Sequence, residues 1–184
     1  MAPRPSKHAD GELPARVEAA LDDKYGLRSK RAAEPGIDRV LAEFVDRLRR
    51  AFGSLDQVRG KRVLDIACGS NASRSPDTGE RTAMFEPWFC RFLLELGADP
   101  VGVDAGDLEG ERFEHHSVDL SRIGALDFLP DASFDGIQDS RLFGSPEFLA
   151  LLPRSGHAPL KAELRRQEKR LLKPRGVIIH SDNP

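Results

Sequence analysis

The chain has 184 residues, with 28 Lys and Arg against 30 Asp and Glu and a formal net charge of −2. That length suits one domain, and 39% hydrophobic residues, about 48% with the 16 glycines added, can build a packed core. The near cancellation of charge excludes a strongly basic nucleic-acid wrapper and an acidic tail protein. No apolar run approaches the ~18–20 residues of a membrane span, and the opening MAPRPSKHADGELPAR holds no signal-peptide core. A soluble, cytoplasmic protein with no membrane partner is therefore expected. Cys68 and Cys90, the two cysteines, form no C-x-x-C pair. Neither a disulfide scaffold nor a cysteine zinc site is indicated, and both thiols are expected to be reduced and buried.

Residues 1–15 mix Pro, charge and small side chains without apolar periodicity, which predicts a mobile tail ahead of a single domain over 16–184. A short helix is predicted over 16–25, with Gly26 supplying its left-handed end. Ile37, Val40, Leu41, Phe44, Val45, Leu48 and Phe52 then recur at three- and four-residue spacing before Gly53. This is a helix with one face to cover, and Arg47, Arg49 and Arg50 are expected to lie solvated on its flank. After Gly60 the pattern shifts to strand-length runs at 62–67 (RVLDIA), 100–104 (PVGVD), 113–118 (FEHHSV), 134–139 (FDGIQD) and 176–181 (GVIIHS). The first, second and last hardly alternate, as befits strands covered on both faces. Helices are predicted between them at 85–97, with Pro87 in the first turn and Gly97 as the stop, and at 160–173, broken by Pro174. The alternation predicts an α/β fold with a mainly parallel sheet of about five strands flanked by helices, two of them N-terminal. In such sheets, ligands bind beyond the carboxyl ends of the strands where strand order reverses.

At those ends the sequence concentrates polar and permissive residues. The first strand runs into Asp65, Ala67, Cys68, Gly69 and Asn71, a carboxylate followed by a tight turn whose backbone N–H groups can approach a ligand. The second ends in Asp104, able to accept hydrogen bonds from two ribose hydroxyls. The third ends in Asp119 and Leu120, an acceptor beside an apolar shelf for a purine.

The series VLDIACGSN, GVD, VDL, LPDASFDGIQDS and RLLKPRGVIIH resembles the motifs of class I S-adenosylmethionine-dependent methyltransferases over about residues 60–181. The resemblance implies a Rossmann-like methyltransferase fold with S-adenosylmethionine as cofactor and an unidentified methyl acceptor. It assigns Asp65, Ala67, Cys68 and Gly69 to the methionine part of the cofactor, Asp104 and Ala105 to the ribose, and Asp119 and Leu120 to the adenine. Gln138 would close over the sulfonium. No catalytic residue is implied, because the cofactor's methyl group is already activated.

Three features depart from the family pattern. Asn71 stands where the turn usually has its last Gly, and 70–81 (SNASRSPDTGER) is a long polar stretch able to act as a flap. The sequence also stops after the fifth strand run, so the family's C-terminal strand hairpin is expected to be absent. The apolar edge left there predicts a homodimer. The segment Phe85-Glu86-Pro87-Trp88 could set Glu86 and Trp88 beside the pocket or serve as a core aromatic with a capping acid.

Rival readings lack their signatures. There is no good G-x-G-x-x-G with an acid ~20 residues on, no G-K-[ST], and no G-x-S-x-G elbow. His115 and His116 are adjacent strand residues facing opposite sides, so they cannot share a metal with Asp119. The lack of [ND]-P-P-[YFW] argues against the nucleic-acid amino methylases, and the lack of Pro-Cys against the cytosine C5 enzymes. The basic residues Arg165, Arg166, Lys169, Arg170, Lys173 and Arg175 are interleaved with Glu163 and Glu168, so a solvated helix is expected and no nucleic-acid partner is indicated. Asp139, Ser140 and Arg141 lie where an acceptor would enter. A non-catalytic cofactor-binding or scaffold protein is the alternative function.

Overall fold

The computed structural model describes residues 13–179 apart from 76, 77, 140, 141, 146, 147, 149 and 151. Ser140, Arg141 and most of the tail expected at 1–15 lie outside the described residues. The chain opens with α1 (Ala15–Tyr25), α2 (Leu27–Ala33) and α3 (Gly36–Phe52). The α2 helix adds a third element to the two expected, because Gly26 in left-handed geometry (φ 66°) ends α1 and starts α2 at once. In α3 the apolar stripe buries Ile37, Leu41, Phe44, Val45 and Leu48. Arg47 is buried too, its guanidinium paired with Glu43 one turn back, which corrects its expected place on a solvated flank.

The sheet follows: β1 (Arg62–Ile66), α4 (Trp88–Leu96), β2 (Asp99–Asp104), β3 (Glu114–Ser117), β4 (Phe134–Asp139), α5 (His157–Leu171) and β5 (Leu172–Ile179). All five strands are parallel, in the order β3-β2-β1-β4-β5. This is the doubly wound Rossmann-like α/β order, and strand succession reverses between β1 and β4. No helix occupies the described residues between β2 and β3 or between β3 and β4, where turns carry the chain instead.

Alternation along β1 separates two cores. Val63 packs with α1 to α4 through Leu21, Leu41, Leu48, Phe92 and Leu93. Leu64 and Ile66 face the other side, with Val103, Ile137 and the α5 residues Leu160 and Leu164. The boundary between α5 and β5 differs from expectation. Pro174 does not break the helix; α5 ends at Leu171 and Pro174 sits inside β5. The strand tolerates it because Pro174 is exposed, the register with β4 shifts between Phe134 and Gly136, and Arg175 adopts φ 72°. Among the described residues, no helix is long and apolar enough to cross a membrane.

Candidate functional site

Strand β1 delivers the chain into a turn with two left-handed positions, Ala67 at φ 60° and Gly69 at φ 91°. For a residue with a Cβ that conformation costs roughly 1–2 kcal/mol, so Ala67 marks stored strain at a carboxyl strand end. Hydrogen bonds hold it there: the N–H groups of Ala67 and Cys68 both donate to the Val103 carbonyl, at 2.9 and 3.2 Å. At Gly69 the constraint is spatial as well, because a Cβ would lie 2.1 Å from the Phe85 carbonyl oxygen. The residue must be glycine for segment 82–86 to press this closely on the turn.

Asp104, closing β2, meets this turn. The Gly69 N–H donates to its Oδ2 at 3.0 Å and the Gly106 N–H to its Oδ1 at 2.8 Å, with Ala105 exposed between. The next amides are also engaged, Ser70 N–H with the Phe85 carbonyl and Asn71 N–H with that of Asp107. Asp65 and Gln138 are neighbours in the β1–β4 register and both fully buried; Gln138 Nε2 donates to Asp65 Oδ1 at 3.5 Å. Asp65, Ala67, Cys68, Gly69, Asp104, Ala105 and Gln138 therefore converge on the carboxyl ends of β1, β2 and β4.

The third-strand pair follows directly, tied to the end of β2 by the Val118 N–H, which donates to the Asp104 carbonyl at 2.8 Å. Leu120 is buried in the core that also holds Ile66, Val103, Leu126 and Leu129, with Ala67 packed against it. Asp119 is exposed, its Oδ1 accepting from the Ser121 N–H and hydroxyl, which lower its pKa. Beside it, His116, Arg122, Ile123 and Phe128 line an open cleft of ≈ 560 Å³.

No protein-family model matches the chain, and no curated protein matches it.

A network that sequence reasoning missed ties the turn to the N-terminal helices. Arg91 of α4 reaches Glu86, both carboxylate oxygens of Glu111, and Asn71 Oδ1 at 2.7 Å. Its guanidinium also lies 4.5 Å from the Tyr25 ring centroid and 4.9 Å from that of Trp88. Lys30 of α2 pairs with the same Glu86. One step away, the Glu34 carboxylate accepts from the Thr82 hydroxyl and from the N–H groups of Ala83 and Met84. Segment 82–86 is thus latched by α2 and its C-terminal cap residue. Glu86 and Trp88 belong to this latch: Trp88 is buried and donates its indole N–H to the Ala83 carbonyl. Beyond Glu86 and Trp88, an arginine inside the apolar run FCRF was the available sequence signal.

At the end of β4, Asp139 stands out. Among the described residues its buried Oδ1 has no hydrogen-bond partner, and burial pushes its pKa up despite the Leu142 N–H and nearby Lys161. Glu168 of α5 is likewise raised, by burial and by the charge of Asp139.

Proposed function

We propose that the chain is a class I S-adenosylmethionine-dependent methyltransferase acting on an acceptor still to be identified. One observation carries the reading: in a parallel sheet ordered β3-β2-β1-β4-β5, the acid closing β2 meets the strained turn after β1 beside the reversal of strand order. The carboxylate of Asp104 suits a ribose, whereas the amides of 67–71, which the sequence led one to expect open to a ligand, are all bonded within the chain, and the close approach at Gly69 is taken by Phe85. Asp104 would hold the ribose, the 67–69 turn the methionine part, and Gln138 the region of the sulfur. When bound, the cofactor supplies an activated methyl group, so the protein has to align the acceptor and exclude water. Asp139 Oδ1 is the atom available to take a proton from that acceptor.

Of the two forms of the non-catalytic alternative, the scaffold is favoured by a specific observation: both Asp104 oxygens already serve backbone amides of the chain. Calorimetry with S-adenosylmethionine and its demethylated product tests the cofactor assignment. Wild type should bind, and Asp104→Ala should weaken binding by about tenfold or more, as expected for lost charge-assisted hydrogen bonds. Absence of wild-type binding, or indifference to Asp104→Ala, refutes it. Methyl transfer to a panel of small molecules, RNA and protein then separates enzyme from scaffold.

A further inference from the structure

The two cysteines of the chain, 22 residues apart in sequence, meet in space. Cys68 sits in the turn after β1 and Cys90 in the first turn of α4, and with Leu108 and Phe113 they form a small buried cluster of their own. Both sulfurs crowd the place where residue 102 would carry a side chain: a Cβ on Gly102 would lie 2.9 Å from Cys68 Sγ and 3.3 Å from Cys90 Sγ. Cys68 Sγ also donates to the Gly69 carbonyl at 3.4 Å and Cys90 Sγ to Asp65 Oδ2 at 3.8 Å. A residue without a side chain on β2 is what lets two sulfurs share this space.

We infer that Cys68 and Cys90 are a dithiol modification site, oxidised to an intramolecular disulfide that staples the turn after β1 to α4. The inference goes beyond the cofactor reading and does not depend on it. In the reaction each thiol gives up one proton and one electron as the S–S bond forms. An oxidant of the peroxide, small-disulfide or azo class takes both; an azo compound becomes the hydrazine.

The surroundings also set when this happens. Burial, together with Cys68 and Asp65, raises the Cys90 pKa well above its usual value. For Cys68, contact with Cys90 pulls down, but burial and the Asp65 and Asp104 carboxylates outweigh it. Both groups are therefore thiols at neutral pH, and the thiolate is the reactive form. Oxidation should be slow in the closed molecule and accelerate with pH and with opening of segment 82–86. The staple would then fix the backbone on which Gly69 reaches Asp104.

The test uses the native full-length protein, reduced and then treated with diamide at pH 8.5, followed by thiol counting and non-reducing tryptic mapping. The expected result is a fall from two free thiols to none, with no disulfide linking one chain to another. Peptides 63–74 and 82–91 should be joined and released again by dithiothreitol. Neither Cys68→Ser nor Cys90→Ser should give that joined pair. The inference is overturned if both thiols persist in the folded protein under conditions that oxidise them in urea. It is equally overturned if the products are dimers linked between chains or mixed adducts on single cysteines.

Discussion

Replacing Arg91 with Met tests whether the latch is held by a buried ion network. The side chain is 4% exposed and those of Glu86 and Glu111 are each 2% exposed, so the substitution leaves negative charge out of reach of water. Glu86 keeps Lys30, but both oxygens of Glu111 are held by Arg91. Removing one partner of such a pair costs about 3–5 kcal/mol, because the other charge remains buried and uncompensated. Loss of the stacked guanidinium on Tyr25 and Trp88 adds on the order of 0.5–2 kcal/mol. For a chain of this size, where each kcal/mol moves the melting temperature by about 2–4 °C, a fall of roughly 7–28 °C is expected. Urea denaturation followed by circular dichroism reads the free energy directly. Adding Glu111→Gln to Arg91→Met should restore a substantial part of the loss by removing the stranded charge. A loss below about 1 kcal/mol, or no recovery in the double variant, refutes the account.

Further outcomes follow from neighbouring residues. Glu34→Gln replaces charge-assisted hydrogen bonds to Thr82, Ala83 and Met84 with weaker neutral ones. A loss on the order of 1–2 kcal/mol should speed amide exchange of Ala83 and Met84 by about tenfold; unchanged exchange would show that segment 82–86 is held by something else. Gly69→Ala should destabilise by about 2 kcal/mol or more in urea, since φ is 91° and the new Cβ meets Phe85. Gly60→Ala has φ 71° and nothing within 4 Å, so it serves as the control and should cost less. Asp139 has its pKa raised above the ordinary 3.8, so the folded state holds its proton more tightly than the unfolded one. Its contribution is therefore lost as pH climbs from that value through the folded pKa. Asp139→Asn should raise the melting temperature at pH 7 and leave it nearly unchanged at pH 3, and equal effects at both would sink this assignment.

Much of the sheet was legible because its strands are short, apolar and bounded by turn residues. The runs at 62–67, 100–104 and 134–139 coincide with β1, β2 and β4 to within a residue. The α3 helix was legible for the complementary reason, a stripe at helical period. Local pattern failed where a distant partner decides. Nothing near Arg47 reveals that it is buried, and for Arg91 the local sign is only its place inside the apolar run FCRF, which names none of its partners. The Pro174 error has the same origin, because a bulge against β4 accommodates a residue that local rules treat as a stop. Within the candidate site, Asp65, the 67–69 turn, Asp104 and Gln138 were brought together as the motif order implied. Of the latch on that turn only Glu86 and Trp88 stood out, because the other members, Tyr25, Lys30, Glu34 and Glu111, come from segments far apart in the chain.

The absence of helices on both sides of β3 has a mechanical consequence. This edge strand is exposed or only half-buried along its length, so little apolar burial secures it. Arg62 reaches from β1 across the end of β2 to pair with Asp99 and Glu114, acting as an electrostatic tie rod over three strands. Ties between partly exposed charges slacken as salt screens them, whereas the apolar packing under α5 does not. Added salt should therefore loosen the molecule at one margin, peeling Glu114–Ser117 from β2 while the central strands stay protected.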